Sequence, residues 1–111
     1  SIFGALALGD IGSHFPDNDE KYKDISSMEL LRQTISIMKE KNYTLSNTDI
    51  TIIIEKPKMR DFIDLMRENL SKALNTSIDN ISIKAKTNEK MDAVGEGKAV
   101  AVHCVTLLEK I

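Results

Sequence analysis

The residues best equipped for chemistry gather in a few short stretches. Lys86-Thr87-Asn88-Glu89 sets a cation, a hydroxyl, an amide and a carboxylate side by side at the end of a β-prone run. That is the inventory needed to hold a metal-bound diphosphate, although a helix cap draws on the same residue types. Lys58 follows a strand-like run and opens a helical pattern. There, backbone N–H groups and a cation together can grip a phosphate, and an ordinary surface lysine is the plainer alternative. Asp17 and Asp19 stand one residue apart in a loop rich in Asn, Asp and Pro, a spacing that suits a hard cation or a capped turn. Gly9-Asp10-Ile11-Gly12 is turn-like and by itself fits a helix C-cap.

Other side chains argue against whole classes of chemistry. His14 and His103 have no second histidine or cysteine at ligand spacing, so they read as a loop histidine and a strand residue. Cys104, flanked by His103 and Val105, is the single cysteine; it reads as a small buried hydrophobe in a reducing compartment. The chain has no nucleophile beside a base, no Walker-type loop and no dinucleotide fingerprint.

The elements that must position these groups follow from periodicity. Ser1 to Leu8 reads as the last turns of an apolar helix whose start and apolar neighbours are expected ahead of Ser1. Residues 9–25 form an exposed loop. Ser26 with Glu29 is a capping box for a first helix, with Met28, Leu31, Ile35 and Met38 inward and Asn42 as a left-handed stop. Ile50 to Ile54 is a β-branched run that suits a central strand ending at Pro57. Residues 59–74 give a second helix with Phe62, Ile63, Met66, Leu70, Ala73 and Leu74 inward.

Ile81, Ile83 and Ala85 alternate with Ser82, Lys84 and Lys86, a strand with one apolar and one cationic face. Ala99 to Leu108 is a further strand, apolar on both faces, after a Gly95-Glu96-Gly97 turn. Strand, helix and strand over 50–86 make a βαβ unit with parallel strands. The fold class is α/β (α+β): a small mixed sheet covered by helices, one domain over 1–111, with the two-faced apolar strand buried against other subunits.

Composition closes off further options. Of 111 residues, 41% are hydrophobic and 29% charged, and Lys plus Arg (15) nearly balance Asp plus Glu (17). With no basic stripe and 5% aromatic residues, no nucleic-acid partner is expected; with no apolar run of the ~20 residues a span needs, no membrane partner is either.

Three separated stretches carry a resemblance: GALALGDIGSHFPDND, the β-branched strand with Pro57-Lys58-Met59 after it, and ISIKAKTNEK ahead of a Gly-x-Gly turn and an apolar strand. In this order they resemble the 2-C-methyl-D-erythritol 2,4-cyclodiphosphate synthases over the whole chain. The form AKTNEKMDAVGEGK is similar to the plastid enzymes, which implies a plastid setting with the bacterial cytoplasm as alternative. The resemblance implies a homotrimer with active sites between subunits and a small-molecule cytidylyl diphosphate substrate. It also implies zinc held by an Asp-x-His pair and a further histidine, with ligands expected upstream of Ser1, and a Mg2+ or Mn2+ ion. A fragment lacking those zinc ligands is expected to be inactive alone, and a catalytically silent cytidine-nucleotide-binding trimer is the alternative.

Residue by residue, the resemblance implies that Asp10, Ile11 and Gly12 contact the erythritol portion, with Asp10 counted among the catalytic residues. It implies that Phe15, Pro16, Asp17, Asn18 and Asp19 form the substrate loop. Ile54, Glu55, Lys56, Pro57, Lys58, Met59 and Arg60 would enclose the cytosine, and Ala85, Lys86 and Thr87 would flank it. Thr87 would stabilise the transition state, Asn88 would lie beside it, and Glu89 would bind Mg2+ or Mn2+. Lys86 stands where bacterial members usually carry threonine. The family's phenylalanine near Ala93 and arginine near Glu96 are missing, and Lys98 is the candidate replacement for the diphosphate-binding arginine.

Overall fold

The computed structural model describes all residues, Ser1–Ile111. They divide into two compact units: residues 1–46 with 106–111, and residues 47–105.

In the first unit, α1 (Ile2–Ala5) buries Ile2 and Phe3 and packs against α3 (Ser27–Glu40). The Ser26 cap forms as expected, its hydroxyl accepting the Glu29 N–H at 3.1 Å, while the Glu29 carboxylate accepts from Arg32. The inward stripe of α3 buries Thr34, Ile35 and Met38, the last only 1% exposed. Asn42, at φ 66°, turns the chain out of the helix. Residues 9–25 are more ordered than a plain loop. They contain the single turn α2 (Ile11–His14) and a 3-10 turn at Glu20–Tyr22.

The reason is aromatic packing that no short-range pattern announces. Phe3 stacks on His14 with ring centroids 4.1 Å apart, and Phe15 meets Tyr22 edge-on at 5.4 Å. Phe15 is therefore a buried ring at 8% exposure, so the expectation of an exposed stretch over residues 9–25 fails at this side chain.

The central strand β1 (Tyr43–Ile53) starts seven residues earlier than its β-branched run. Its first half, YTLSNTD, is rich in turn-forming residues and hid the strand, yet Leu45 and Thr48 point inward and are buried. In the second unit β1 pairs in parallel with β2 (Ile81–Lys86), from Thr48 opposite Ile81 to Ile53 opposite Lys86. The connection between them is α4 (Ile63–Leu74), preceded by a 3-10 turn at Arg60–Phe62 and closed by Asn75 in the left-handed region. The expected βαβ unit is present.

On β2, Ile81 and Ile83 are buried while Ser82, Lys84 and Lys86 are exposed, the two-faced pattern read from the sequence. Arg67 fastens α4 to this strand: its Nε donates to the Ile81 carbonyl at 2.8 Å and an Nη to the Ile78 carbonyl at 3.0 Å. Charge-assisted bonds of this kind contribute about 1.5–3 kcal/mol. Leu74 seals the helix against the core, but Phe62 is half exposed, because the chain is still in the 3-10 turn there and the helical phase has not begun.

The strand β3 (Ala101–Lys110) completes the sheet in the order β2-β1-β3. It runs antiparallel to β1: Ile111 N–H meets the Asn42 carbonyl, and the Val105 carbonyl meets the Thr48 hydroxyl. Val102, Val105 and Leu107 are all more than half exposed. Cys104, expected in the core, is exposed as well, with its Sγ 3.3 Å from the Thr48 hydroxyl, on a strand at the edge of the sheet whose residues 102–105 are all exposed.

Two substitutions test the packing of α3. Met38→Ala should cost about 2–5 kcal/mol as a buried cavity, and Ser26→Ala about 1 kcal/mol as a lost cap. Denaturant midpoints that ranked them in the reverse order would contradict this account.

Candidate active site

Parallel pairing decides where a site can be. Since β1 and β2 point the same way, their carboxyl ends lie at one edge of the sheet, and the chain leaves both there. A backbone bond from Ile54 N–H to the Lys86 carbonyl, 2.9 Å, carries the pairing to the last residue. Beyond it, residues 54–59 and 87–91 emerge side by side, and the start of α4 returns to the same edge.

These segments enclose an open cleft of about 560 Å3 lined by Ile54, Glu55, Pro57, Lys58, Met59, Arg60, Asp61, Ile63, Ala85, Lys86 and Thr87. Ile54, Met59, Ile63 and Ala85 are half-buried and form an apolar surface, whereas Lys58, Arg60, Lys86 and Thr87 are exposed at its rim. An apolar bed with a cationic rim suits a flat heterocycle carrying phosphates. The amino end of α4 adds a positive backbone dipole.

Most of the residues expected around the nucleotide thus converge. Lys56 is exposed and does not line the cleft; it precedes the cis peptide to Pro57. Asp61 and Ile63 line it without having been singled out. Asp61 was hidden because a carboxylate beside Arg60 reads as an ordinary helix-start acid, and Ile63 because its apolar period had assigned it to the core.

The loop after β2 is tightly wound. Glu89, Lys90 and Asp92 all have positive φ, 51°, 61° and 59°, each costing on the order of 1 kcal/mol for a non-glycine residue. Local hydrogen bonds offset that cost. One oxygen of Glu55 accepts N–H groups from Asn88 (2.8 Å) and Lys90 (3.3 Å), and the Thr87 hydroxyl accepts from Glu89 N–H at 3.4 Å. Asp92 accepts from Val94 N–H at the start of α5 (Asp92–Gly95), a helical turn that the sequence had shown only as part of a glycine turn. The Asn88 side chain, and then that N–H, hold the Asp92 carboxyl below the usual carboxylate range.

Gly95 is required by contact: a β-carbon there would land on the Lys90 peptide. Lys98, the candidate for binding diphosphate, is outside the cleft lining and ion-paired to Glu96 at 2.8 Å.

The remaining predicted residues lie in the first unit. Asp10 caps α2, its carboxylate accepting from the Ser13 hydroxyl (2.8 Å) and N–H (2.9 Å). Those bonds, the hydroxyl first, stabilise the carboxylate and hold its pKa below the ordinary carboxylate value. Ile11 and Gly12 follow as exposed residues of that turn. His14 is held through Nε2 to the Leu8 carbonyl at 2.8 Å. Asp19 caps the next 3-10 turn through Lys21 N–H, and Pro16 accepts the Asp19 N–H, which favours the capped-turn alternative for this carboxylate. Asp17 and Asn18 are exposed.

Ser13→Ala should move the Asp10 carboxyl back up toward its ordinary value, followed by carboxyl NMR. Because its pKa is lower in the folded state than in the unfolded one, Asp10 supports the fold above the unfolded pKa and loses that contribution as pH falls through the folded one. An unchanged Asp10 titration would refute the assignment. Gly95→Ala should displace Lys90 and lower the thermal midpoint by several degrees, as about 1–3 kcal/mol of overpacking does in a small domain.

Comparison with known proteins gives this geometry a family. The family model described as the YgbB family matches residues 1–109. The chain is 74% identical over 110 residues to the 2-C-methyl-D-erythritol 2,4-cyclodiphosphate synthase of Brachyspira hyodysenteriae, covering 99% of this chain and 70% of that protein. Among solved structures it is similar to the bifunctional IspDF of Campylobacter jejuni (TM-score 0.95, 37% identity, 99% of this chain and 30% of that one). It is also similar to IspF of Plasmodium falciparum in a CDP complex (TM-score 0.86, 36% identity, 99% of this chain and 65% of that one). The Brachyspira relative is bacterial and does not support the plastid setting. The chain belongs to the YgbB family, the 2-C-methyl-D-erythritol 2,4-cyclodiphosphate synthases.

Proposed function

We propose that the cleft at the carboxyl ends of β1 and β2 holds the cytidine of a cytidylyl diphosphate, and that Thr87 and Glu89 serve the phosphates beside it. The observation that carries this is the convergence of Ile54, Glu55 and Pro57 to Arg60 with Ala85 to Thr87, segments from well-separated parts of the chain, on one cleft with an apolar bed and a cationic rim. The chain is a cyclodiphosphate synthase: the reaction converts 4-diphosphocytidyl-2-C-methyl-D-erythritol 2-phosphate to 2-C-methyl-D-erythritol 2,4-cyclodiphosphate and CMP, in non-mevalonate isoprenoid biosynthesis.

An oxygen of the 2-phosphate forms a bond to the β-phosphorus, the bond from that phosphorus to the bridging oxygen breaks, and CMP leaves with the electron pair. Nucleophile and leaving group belong to one molecule, so positioning and charge neutralisation supply most of the rate. Ile54, Met59 and Ala85 bed the base; Lys58 and Lys86 bring positive charge to the phosphates; the Thr87 hydroxyl donates to an oxygen on which charge develops. Asp10, Ile11 and Gly12 are assigned to the erythritol end, with 15–19 as the substrate loop, and Lys98 is a secondary candidate for the diphosphate.

Members of the family are metal-dependent. Glu89 is an exposed carboxylate on the loop next to Thr87, and one carboxylate with phosphate oxygens and water is an ordinary donor set for Mg2+ or Mn2+. Bound there, the ion would supply neutralisation of phosphate charge. Zinc does not fit these residues: no group of three or more His, Cys, Asp or Glu is placed to hold a metal, and His14 is committed to the Leu8 carbonyl. Its ligands are assigned to residues other than these. The exposed apolar side chains of β3, Val105 and Leu107 on one face and Val102 on the other, support a homotrimer through this strand, and the bacterial relative supports a bacterial cytoplasmic setting.

Glu89→Ala should lower turnover by at least about 100-fold while CMP affinity, by calorimetry, changes less than about 3-fold. Equal rates for variant and wild type would reject the metal role. Val105→Glu should shift the assembly toward smaller species in light scattering; an unaltered mass would remove β3 from the interface.

A further inference from the structure

We propose that Glu55 is a positioning residue: its carboxylate holds the Asn88–Lys90 loop in the conformation that presents Thr87 and Glu89 to the diphosphate. Family resemblance had grouped it with the cytosine contacts. This inference rests on the proposed reading of the cleft and deepens it.

The geometry is specific. A single oxygen, Oε1, accepts the N–H of Asn88 at 2.8 Å and that of Lys90 at 3.3 Å, so both amides flanking Glu89 converge on one charge. Amides two residues apart reach one oxygen like this when the chain between them is coiled, and here Glu89 and Lys90 both adopt left-handed angles. Neither is glycine, so local preference does not hold them there. Of the loop's other bonds, Glu89 N–H goes to the Thr87 hydroxyl, and Asn88 Nδ2 to the Met91 carbonyl with Met91 N–H to the Asn88 carbonyl closes the far end. They leave the amides of Asn88 and Lys90 to Glu55.

The position of Glu55 gives the contact a functional sense. It stands two residues past the end of β1 and lines the cleft with Ile54 and Pro57, while the loop it grips follows the end of β2. The segment that beds the base and the segment that carries the carboxylate are thus joined at one oxygen. Loss of that oxygen frees Glu89 and Thr87 to leave the reacting phosphates while the apolar bed stays in place. The predicted defect lies in turnover, not in nucleotide affinity.

The test compares Glu55→Ala and Glu55→Gln in the intact enzyme, by residue-resolved amide exchange without nucleotide and by steady-state kinetics. Glutamine keeps a carbonyl oxygen that can accept both amides. For the alanine variant the expected result is faster exchange at Asn88 and Lys90 by about 10-fold or more, a kcat lowered by a similar factor and CMP affinity within about 3-fold of wild type. The glutamine variant should recover most of both. Unchanged exchange in the alanine variant, an unchanged kcat, or a glutamine variant as impaired as alanine would each overturn the proposal. Should the alanine variant fold poorly, Glu55→Asp withdraws the carboxylate by one methylene and must reproduce the same exchange and kcat defects. A wild-type enzyme without cyclase turnover would sink the reading of the cleft, whereas the exchange data would still decide whether Glu55 holds the loop.

Discussion

The parallel register of β1 and β2 is the constraint on which the rest depends. Once Thr48 faces Ile81 and Ile53 faces Lys86, both strands must end at the same edge, and a helix must carry the chain back between them. That helix is α4, and Arg67 ties it to β2 through carbonyls that a helical side chain reaches only in this arrangement. The cleft is a consequence: two loops and the amino end of a helix have no other place to go.

Placing several non-glycine residues in left-handed backbone next to that cleft is costly. The cost is met by carboxylates accepting backbone N–H groups: Glu55 across the loop and Asp92 within it. Asp10 and Asp19 do the same work in the first unit, each capping one short turn. No buried side-chain polar atom is left without a partner, so the strain resides in torsion angles while the polar groups are satisfied. The exposed outer surface of β3 is the exception to this thrift. Val105 and Leu107 on one face and Val102 on the other leave both faces of an edge strand partly apolar, a surface that an isolated chain would carry only at the risk of association.

Much of this was legible in the residues. The helix cap at Ser26, the left-handed stop at Asn42, the alternation from Ile81 to Lys86, the central β-branched run and the βαβ order all rest on interactions within a few residues, and a linear pattern can record those. The nucleotide segments were legible for a different reason. Short motifs such as Pro57-Lys58-Met59 and Lys86-Thr87-Asn88-Glu89 keep their chemistry in contiguous residues, and their order along the chain pointed to the family.

What only the tertiary structure decided involves partners far apart in sequence. Phe15 became a core ring because Phe3 and Tyr22 fold over it, and Cys104 came to the surface because β3 lies at an edge. The polar first half of β1 became a strand because pairing satisfied its backbone, against the preference of its side chains. Glu55 and Asn88 are 33 positions apart, and no local pattern links a carboxylate at the end of one strand to amides beyond another. The sequence by itself determined which segments form elements and which carry phosphate chemistry, since those depend on near neighbours. Which side chains face the cleft, the core or open solvent was settled only when distant segments packed, because burial and long-range hydrogen bonds belong to the assembled chain.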